Sequence, residues 1–235
     1  LDVGADKELP CLNPSCEDNP ALGIRGIRYT FAHPEILTTQ LKAILRAANH
    51  GPIRLMFPML NQVEELDTLF DLIEQCKQSL NDEEKGYGEL SYGIVVETPA
   101  AVINLESMLT RLDFISIGTN DLTQYVMAVD GTNPQLTRDY PSLSPAILKL
   151  IQMTIDSAKK HDVKVSLCGE LGSDPQVAAL LVGMGIDELS VNLASLLEVK
   201  SAIRASSYQS CIEVAKRASE IKRIEELNLY LTGLN

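Results

Sequence analysis

Positive charge is what this 235-residue sequence has least of: 20 Lys and Arg stand against 32 Asp and Glu, a net charge of −12. With an isoelectric point near 4.7, the chain offers no broad cationic surface to a nucleic-acid backbone. An anionic ligand would have to be held by a local cluster of cations against an adverse overall field. Long apolar runs are also missing. Hydrophobic residues make up 45% of the chain, ordinary for a globular protein, but no run approaches the ~20 residues that span a bilayer. Cysteines are few: Cys11, Cys16, Cys76, Cys168 and Cys211 are odd in number and mostly scattered through helical patterns. That usage suits a reducing compartment, and Cys11 and Cys16 have no partners at metal-site spacing. No secretory signal opens the chain, so the expected location is the cytoplasm. No Gly-x-Gly-x-x-Gly follows the first full strand, which weakens a dinucleotide-binding fold. There is no initiating Met either; Leu1-Asp2-Val3-Gly4 reads as the end of a strand, and the chain is expected to be a fragment.

What is present is a repeated device. In DFISIGTNDLTQY (residues 113–125) the strand-forming run Phe114-Ile115-Ser116-Ile117 leads into Gly118-Thr119-Asn120-Asp121. Gly118 permits a sharp exit, and the carboxylate falls where the strand ends, the place a buried strand can tolerate one. In SYGIVVETPAA (91–101) the run Ile94-Val95-Val96 delivers Glu97, with Pro99 opening a helix. In VKVSLCGELGSDP (163–175) Val163, Val165 and Leu167 lead to Cys168, Gly169 and Glu170. Taken singly, an Asp or Asn after a strand caps a helix and a Cys is a small packing residue. Three polar constellations at three strand ends are harder to explain as three separate caps. In a parallel barrel all such ends lie on one face, where the chemistry is kept.

Read in order, residues 1–24 are a strand end and a Pro-rich loop closed by Arg25-Gly26-Ile27-Arg28. The two arginines either present guanidinium groups to a carboxylate or phosphate or form a solvated surface pair. A helix is predicted from Pro34 to about His50, with Gly51 ending it. Strand 53–59 carries Arg54, which either snorkels to the rim or points into a polar interior. A helix over 61–82 and an acidic loop follow. The stretch after Asp121 reads as a long loop of the length used for lids. Ser144-Pro145 and Asp174-Pro175 are helix starts, 188–192 is a last short strand, and helices run from Leu193 onward. Strands near 1–4, 53–59, 91–98, 114–119, 164–170 and 188–192 alternate with helices, which means a parallel sheet covered by helices. Both a doubly wound sheet and a (β/α)8 barrel meet that rule; functional residues after three different strands favour the barrel. Six strands do not close it, so two upstream βα units are expected to be missing from a single domain spanning 1–235.

At this point a family resemblance is carried by DKELP, NPALGIRGIR, LKAILRAA, LMFPM, GIVVETPAA, DFISIGTNDLTQY, LCGELGSDP and GMGIDELSVN, in order along nearly the whole chain. The sequence resembles the C-terminal, phosphoenolpyruvate-binding half of the phosphoenolpyruvate-protein phosphotransferases, the enzyme I family of the bacterial phosphotransferase system of sugar transport. HPEI after the arginine motif and NP in the lid loop are similar to its nitrogen-regulatory branch. The resemblance implies a (β/α)8 TIM barrel and transfer of the phosphoryl group of phosphoenolpyruvate to a histidine on a separate domain, with release of pyruvate. It implies that Glu97 and Asp121 hold Mg²⁺, that Asn120 binds the phosphate, and that Arg25 and Arg54 grip it. Cys168 would protonate the methylene carbon of the leaving enolate. It implies a homodimer, and a phosphocarrier protein as partner through the absent N-terminal domain; His33, His50 and His161 do not match the phosphoryl acceptor.

Two departures accompany the resemblance. A phosphate-binding arginine of the family belongs to an upstream strand outside this chain, and the lid reads AVDGTN, placing Gly131 where the family has a substrate-binding arginine. Either the site is altered, or another cation such as Arg138 substitutes. Three readings are therefore carried forward: the substrate-binding barrel of the transferase, a phosphoenolpyruvate-sensing module that turns over poorly, and a metal-dependent lyase or aldolase on a related barrel.

Overall fold

The computed structural model describes residues 1–4 and 17–234; DKELP, Cys11 and Cys16 lie outside the described residues. Five strands, β1 (Ile53–Phe57), β2 (Leu90–Val96), β3 (Phe114–Gly118), β4 (Lys164–Cys168) and β5 (Glu188–Leu189), lie side by side in chain order. Every neighbouring pair is parallel. A doubly wound sheet reverses its strand order part-way and carries helices on both faces. Here the order never reverses, so right-handed crossovers put the helices on one side. Phe57, Ile94, Val96, Ile115, Ile117, Val165 and Leu167 face that side and belong to the buried core.

The helices on that side form where apolar residues recur at helical spacing behind a capped start. Helix α1 (Ile27–Ala32) is short, and α2 (Pro34–Ala48) has Pro at its first position and buries Leu37, Leu41, Leu45 and Ala48. In α3 (Val63–Asp82) the Glu65 carboxylate accepts from the Gln62 N–H at 3.1 Å, and Leu66, Leu69, Ile73, Cys76 and Leu80 are buried. Thr98 caps α4 (Pro99–Met108) by accepting from Ala101 N–H at 3.1 Å. Ser144 caps α7 (Pro145–Lys160) and Asp174 caps α8 (Pro175–Met184), each followed by Pro as the sequence pattern required. Helices α9 (Leu196–Ala205), α10 (Tyr208–Glu220) and α11 (Ile224–Thr232) complete the described chain.

Three sequence expectations change. The stretch after Asp121 is not a long loop but two helices, α5 (Thr119–Met127) and α6 (Pro134–Asp139). Asn133 accepts from the N–H groups of Gln135 and Leu136, with Pro134 behind it, a cap-and-proline start like those at Ser144 and Asp174. Of the candidate strand at 1–4, only Gly4 is a bridge residue, and the Gly26 N–H donates to the Val3 carbonyl at 2.9 Å; among the five strands of the described residues, β1 pairs with β2. The last strand is two residues long rather than five.

The sheet is strongly curved. Laid flat, its edge strands β1 and β5 would stand about 19 Å apart at ~4.8 Å per step. Instead Arg54 Nη1 of β1 lies 3.2 Å from Glu188 Oε2 of β5, and the Arg54 guanidinium carbon sits 4.0 Å over the Phe114 ring of β3. Alternate strands thus send side chains to one level of the concave face, as in the layers inside a barrel.

Candidate active site

Because all strands run one way, their C-terminal ends open on one rim. Glu97 follows β2 and is 6% exposed. Its Oε1 accepts from the Met59 N–H at 2.6 Å, and Met59 takes a left-handed backbone (φ 60°) to present that group. A non-glycine residue in that region is uncommon and persists where its surroundings impose it. The surroundings are a buried network: Asn61 donates to the Met59 carbonyl at 2.8 Å and accepts from the Thr98 hydroxyl. Gly118, expected to serve as a turning point, has an ordinary backbone; a Cβ there would come within 3.0 Å of the Glu97 Cβ and the Val95 Cγ1. Its missing side chain is space for Glu97.

Asp121 sits in the first turn of α5. Its Oδ1 accepts from Arg25 Nη1 at 2.8 Å. Arg25, 2% exposed, reaches in from the loop before α1 and also donates through Nη1 to the Tyr125 hydroxyl at 3.0 Å. The Cys168 thiol is half-buried at the end of β4, 3.5 Å from the Ile117 carbonyl. Its loop is tied to α5: Thr119 donates to the Cys168 carbonyl at 3.1 Å, and Asn120 Oδ1 accepts from Glu170 N–H at 3.4 Å. Gly169 (φ 103°) is required here, since a Cβ would fall 2.4 Å from the Thr119 hydroxyl.

The electrostatics follow from this packing. Burial pushes the Glu97 carboxyl up to about 7, the charges of Asp121 and Asp2 push the same way, and the Met59 N–H and Arg25 only partly oppose them. Burial also raises the Cys168 thiol; Ser116 counteracts it, while Glu97 and Asp121 add to it. For Arg25, burial works against the charge, and the contact with Asp121, aided by Tyr125 and Glu97, outweighs it and strengthens the guanidinium's hold on its proton. The rim is therefore a place where carboxylates repel one another beside one buried cation among the described residues, Arg25, and a further cation would relieve it. Among the described residues, no group of three or more His, Cys, Asp or Glu converges as a metal cage. Mg²⁺ commonly takes only one or two protein carboxylates, the rest of its shell being water and phosphate oxygen.

Residues 1–208 match the family described as PEP-utilising enzyme, PEP-binding domain, PEP being phosphoenolpyruvate. The chain belongs to that family. It is 40% identical over 228 residues, 97% of its length, to the phosphoenolpyruvate-protein phosphotransferase of Buchnera aphidicola subsp. Schizaphis graminum. It is 41% identical over 230 residues to a Salmonella typhimurium protein named phosphoenolpyruvate-dependent phosphotransferase system. The chain spans 40% and 30% of the length of those two relatives. Among solved structures, pyruvate kinase from Pyrobaculum aerophilum is similar in fold, with a TM-score of 0.51 at 15% identity over 74% of this chain and 40% of that one.

Of the residues singled out in the sequence of this family member, the structure brings Arg25, Glu97, Asn120, Asp121 and Cys168 to the rim and its inner wall. Arg54 makes its contacts elsewhere, with Glu188 and Phe114. Gly131 lies near the rim: its N–H donates to Gln124 Oε1 at 2.8 Å, and Gln124 is one turn beyond Asp121 on α5. Arg138 is exposed on α6 and lies 3.7 Å from Asp139. Sequence reasoning missed Tyr125, Asn61 and the Met59 N–H. Tyr125 stands four residues after Asp121, the spacing of one helix face, and was detectable once α5 is taken as helical. The Met59 backbone conformation carries no signal of its own in the sequence.

Proposed function

We propose that the chain is the PEP-binding domain of a phosphotransferase that moves the phosphoryl group of PEP to a histidine on a separate domain and releases pyruvate. The observation that carries this reading is the convergence of Arg25, Asp121 and Glu97 at one rim, with Cys168 half-buried on the adjoining strand. Arg25 grips a phosphate oxygen and Asn120 contributes its amide. Glu97 and Asp121 would hold Mg²⁺, which would supply neutralisation of phosphate charge when bound. As the bridging P–O bond breaks and the N–P bond to the acceptor histidine forms, the electron pair stays with the enolate of pyruvate. The Cys168 thiol, kept protonated by burial and by its carboxylate neighbours, gives its proton to the methylene carbon and is left as thiolate. Arg54 and position 131 are the further substrate-side residues of this reading. The sequential strand order and curvature support a closed (β/α)8 barrel completed by strands beyond those described, forming one domain over 1–235. Exposed Leu193 and Leu197 suit a homodimer, and a phosphocarrier protein would be met through the histidine domain. Among the described residues no helix is long and apolar enough to cross a membrane; the proposed location is the cytoplasm.

Calorimetric titration of PEP with and without Mg²⁺ tests the reading. Binding should require Mg²⁺, and Glu97→Ala or Asp121→Ala should abolish the metal-dependent part while circular dichroism stays native. Full Mg²⁺ dependence in both variants would remove the two carboxylates from the metal site.

Gly131 favours a second version, a PEP-sensing domain of low turnover. A charge-assisted bond to a desolvated anion is worth ~1.5–3 kcal/mol, so a missing arginine should weaken PEP binding about 10–100-fold. Gly131→Arg meets only the flexible end of Gln124, 3.0 Å from the new Cβ. It is expected to tighten PEP binding at least ~10-fold at low salt; an unchanged dissociation constant in the full-length protein would mean that position 131 does not serve the phosphate.

A further inference from the structure

Arg25 is buried, yet its donors are unevenly used. A guanidinium has five N–H donors in a fixed plane. Both hydrogens of Nη1 are taken, one by Asp121 Oδ1 at 2.8 Å and one by the Tyr125 hydroxyl at 3.0 Å. Nε, sealed from solvent, has no hydrogen-bond partner among the described residues. Leaving a buried donor unpaired is unfavourable, so something must hold the side chain in this pose. Tyr125 is placed to do it. Its hydroxyl accepts from Arg25 and donates its own hydrogen to the Ala21 carbonyl. Both ends of that hydroxyl are thereby fixed, and α5 is tied to the 3₁₀ turn Pro20–Leu22 that leads into Arg25. Asp121 alone could not fix the plane, because one hydrogen bond leaves the guanidinium free to rotate about it.

We infer that Tyr125 is a positioning residue that locks the Nη1 side of Arg25 and so keeps Nη2, which makes no hydrogen bond among the described residues, for an oxoanion, the phosphate of PEP. The N–H donors of Nη2 suit a phosphate oxygen as charge-assisted partners. The inference rests on the PEP-binding reading for the identity of the anion, but not for the lock itself.

The lock is tested with Tyr125→Phe, which keeps the ring and removes only the hydroxyl. Side-chain NMR of Arg25 should show Nε–H exchange with solvent at least about tenfold faster in the variant, because the guanidinium gains rotational freedom. PEP should bind about tenfold more weakly, whereas pyruvate, which lacks the phosphate, should bind unchanged. In an Arg25→Gln background the same tyrosine change should have no further effect on PEP, since the two residues act as one unit. A merely structural tyrosine would lower the melting temperature and weaken both ligands alike, or add its effect to that of Arg25→Gln; either result overturns the inference. If the native protein binds no PEP, the proposed function fails, and the Arg25 exchange rates still decide the lock: unchanged rates reject it.

Discussion

Cys168→Ala should lower PEP turnover by roughly 10²–10⁴-fold, the range over which a positioned general acid acts, while leaving PEP affinity nearly unchanged. The expectation comes from where the thiol lies. It is half-buried at the end of β4, 3.5 Å from the Ile117 carbonyl, and makes no contact with Arg25 or Asp121 that would let it hold phosphate. Burial, with the charges of Glu97 and Asp121 behind it, keeps the sulfur protonated. A protonated thiol is a poor nucleophile and a poor metal ligand, but it is the form an acid needs. Its loop is fixed to α5 through Thr119 and Asn120, so removing the sulfur should leave the rim in place. Single-turnover rates and PEP dissociation constants, measured in the full-length protein with its histidine domain, separate the two effects. Equal losses in affinity and turnover would assign Cys168 to binding or packing instead.

The second large effect concerns Glu97 and is visible without substrate. Its carboxyl titrates near 7 in the folded chain against an ordinary value of 4.5. Between those values the folded state holds the proton more firmly than the unfolded state does. Stability therefore falls as pH rises through the window from about 4.5 to 7, and the full penalty is present above it. A rise of that size corresponds to at most about 3 kcal/mol. Glu97→Gln keeps an oxygen to accept from the Met59 N–H and removes the charge. In the absence of divalent cations the variant should be more stable than the native protein by ~1–3 kcal/mol at pH 8, with the gain shrinking toward zero by pH 4. Urea unfolding midpoints at the two pH values check this. A gain of equal size at both would trace the effect to packing rather than charge. Mg²⁺ should narrow the gap at pH 8, since it neutralises the native carboxylates and finds one fewer in the variant.

The sequence by itself determined which residues end strands and which begin helices, because those choices are local. Apolar runs of Ile and Val closed by Glu97, Asn120 or Cys168, and cap-proline pairs at Ser144 and Asp174, need no distant partner to be read. The family motifs lie in the same stretches, so the candidate site was legible to the extent that it consists of strand ends. Helix α5 is weakly marked in the sequence because it is short and its N-cap is a glycine, Gly118, with no side-chain cap, while Asn133-Pro134 has the same form as the pairs at Ser144 and Asp174.

Tertiary structure alone decided what the side chains meet. Periodicity places Arg54 on the inward face of β1, but only the curvature of the sheet brings it to Glu188, 134 residues away. Gly118 is needed for the room it leaves Glu97, a contact between strands that no local pattern encodes. The Met59 backbone is held in its left-handed form by Asn61, Thr98 and the carboxylate it serves. Burial and the pairing of charges depend on distances across the whole fold, and Coulomb and desolvation energies change steeply with those distances. The same carboxylate that the sequence shows as a residue after a strand becomes, once Asp121, Asp2 and Arg25 surround it, a group that titrates near neutrality.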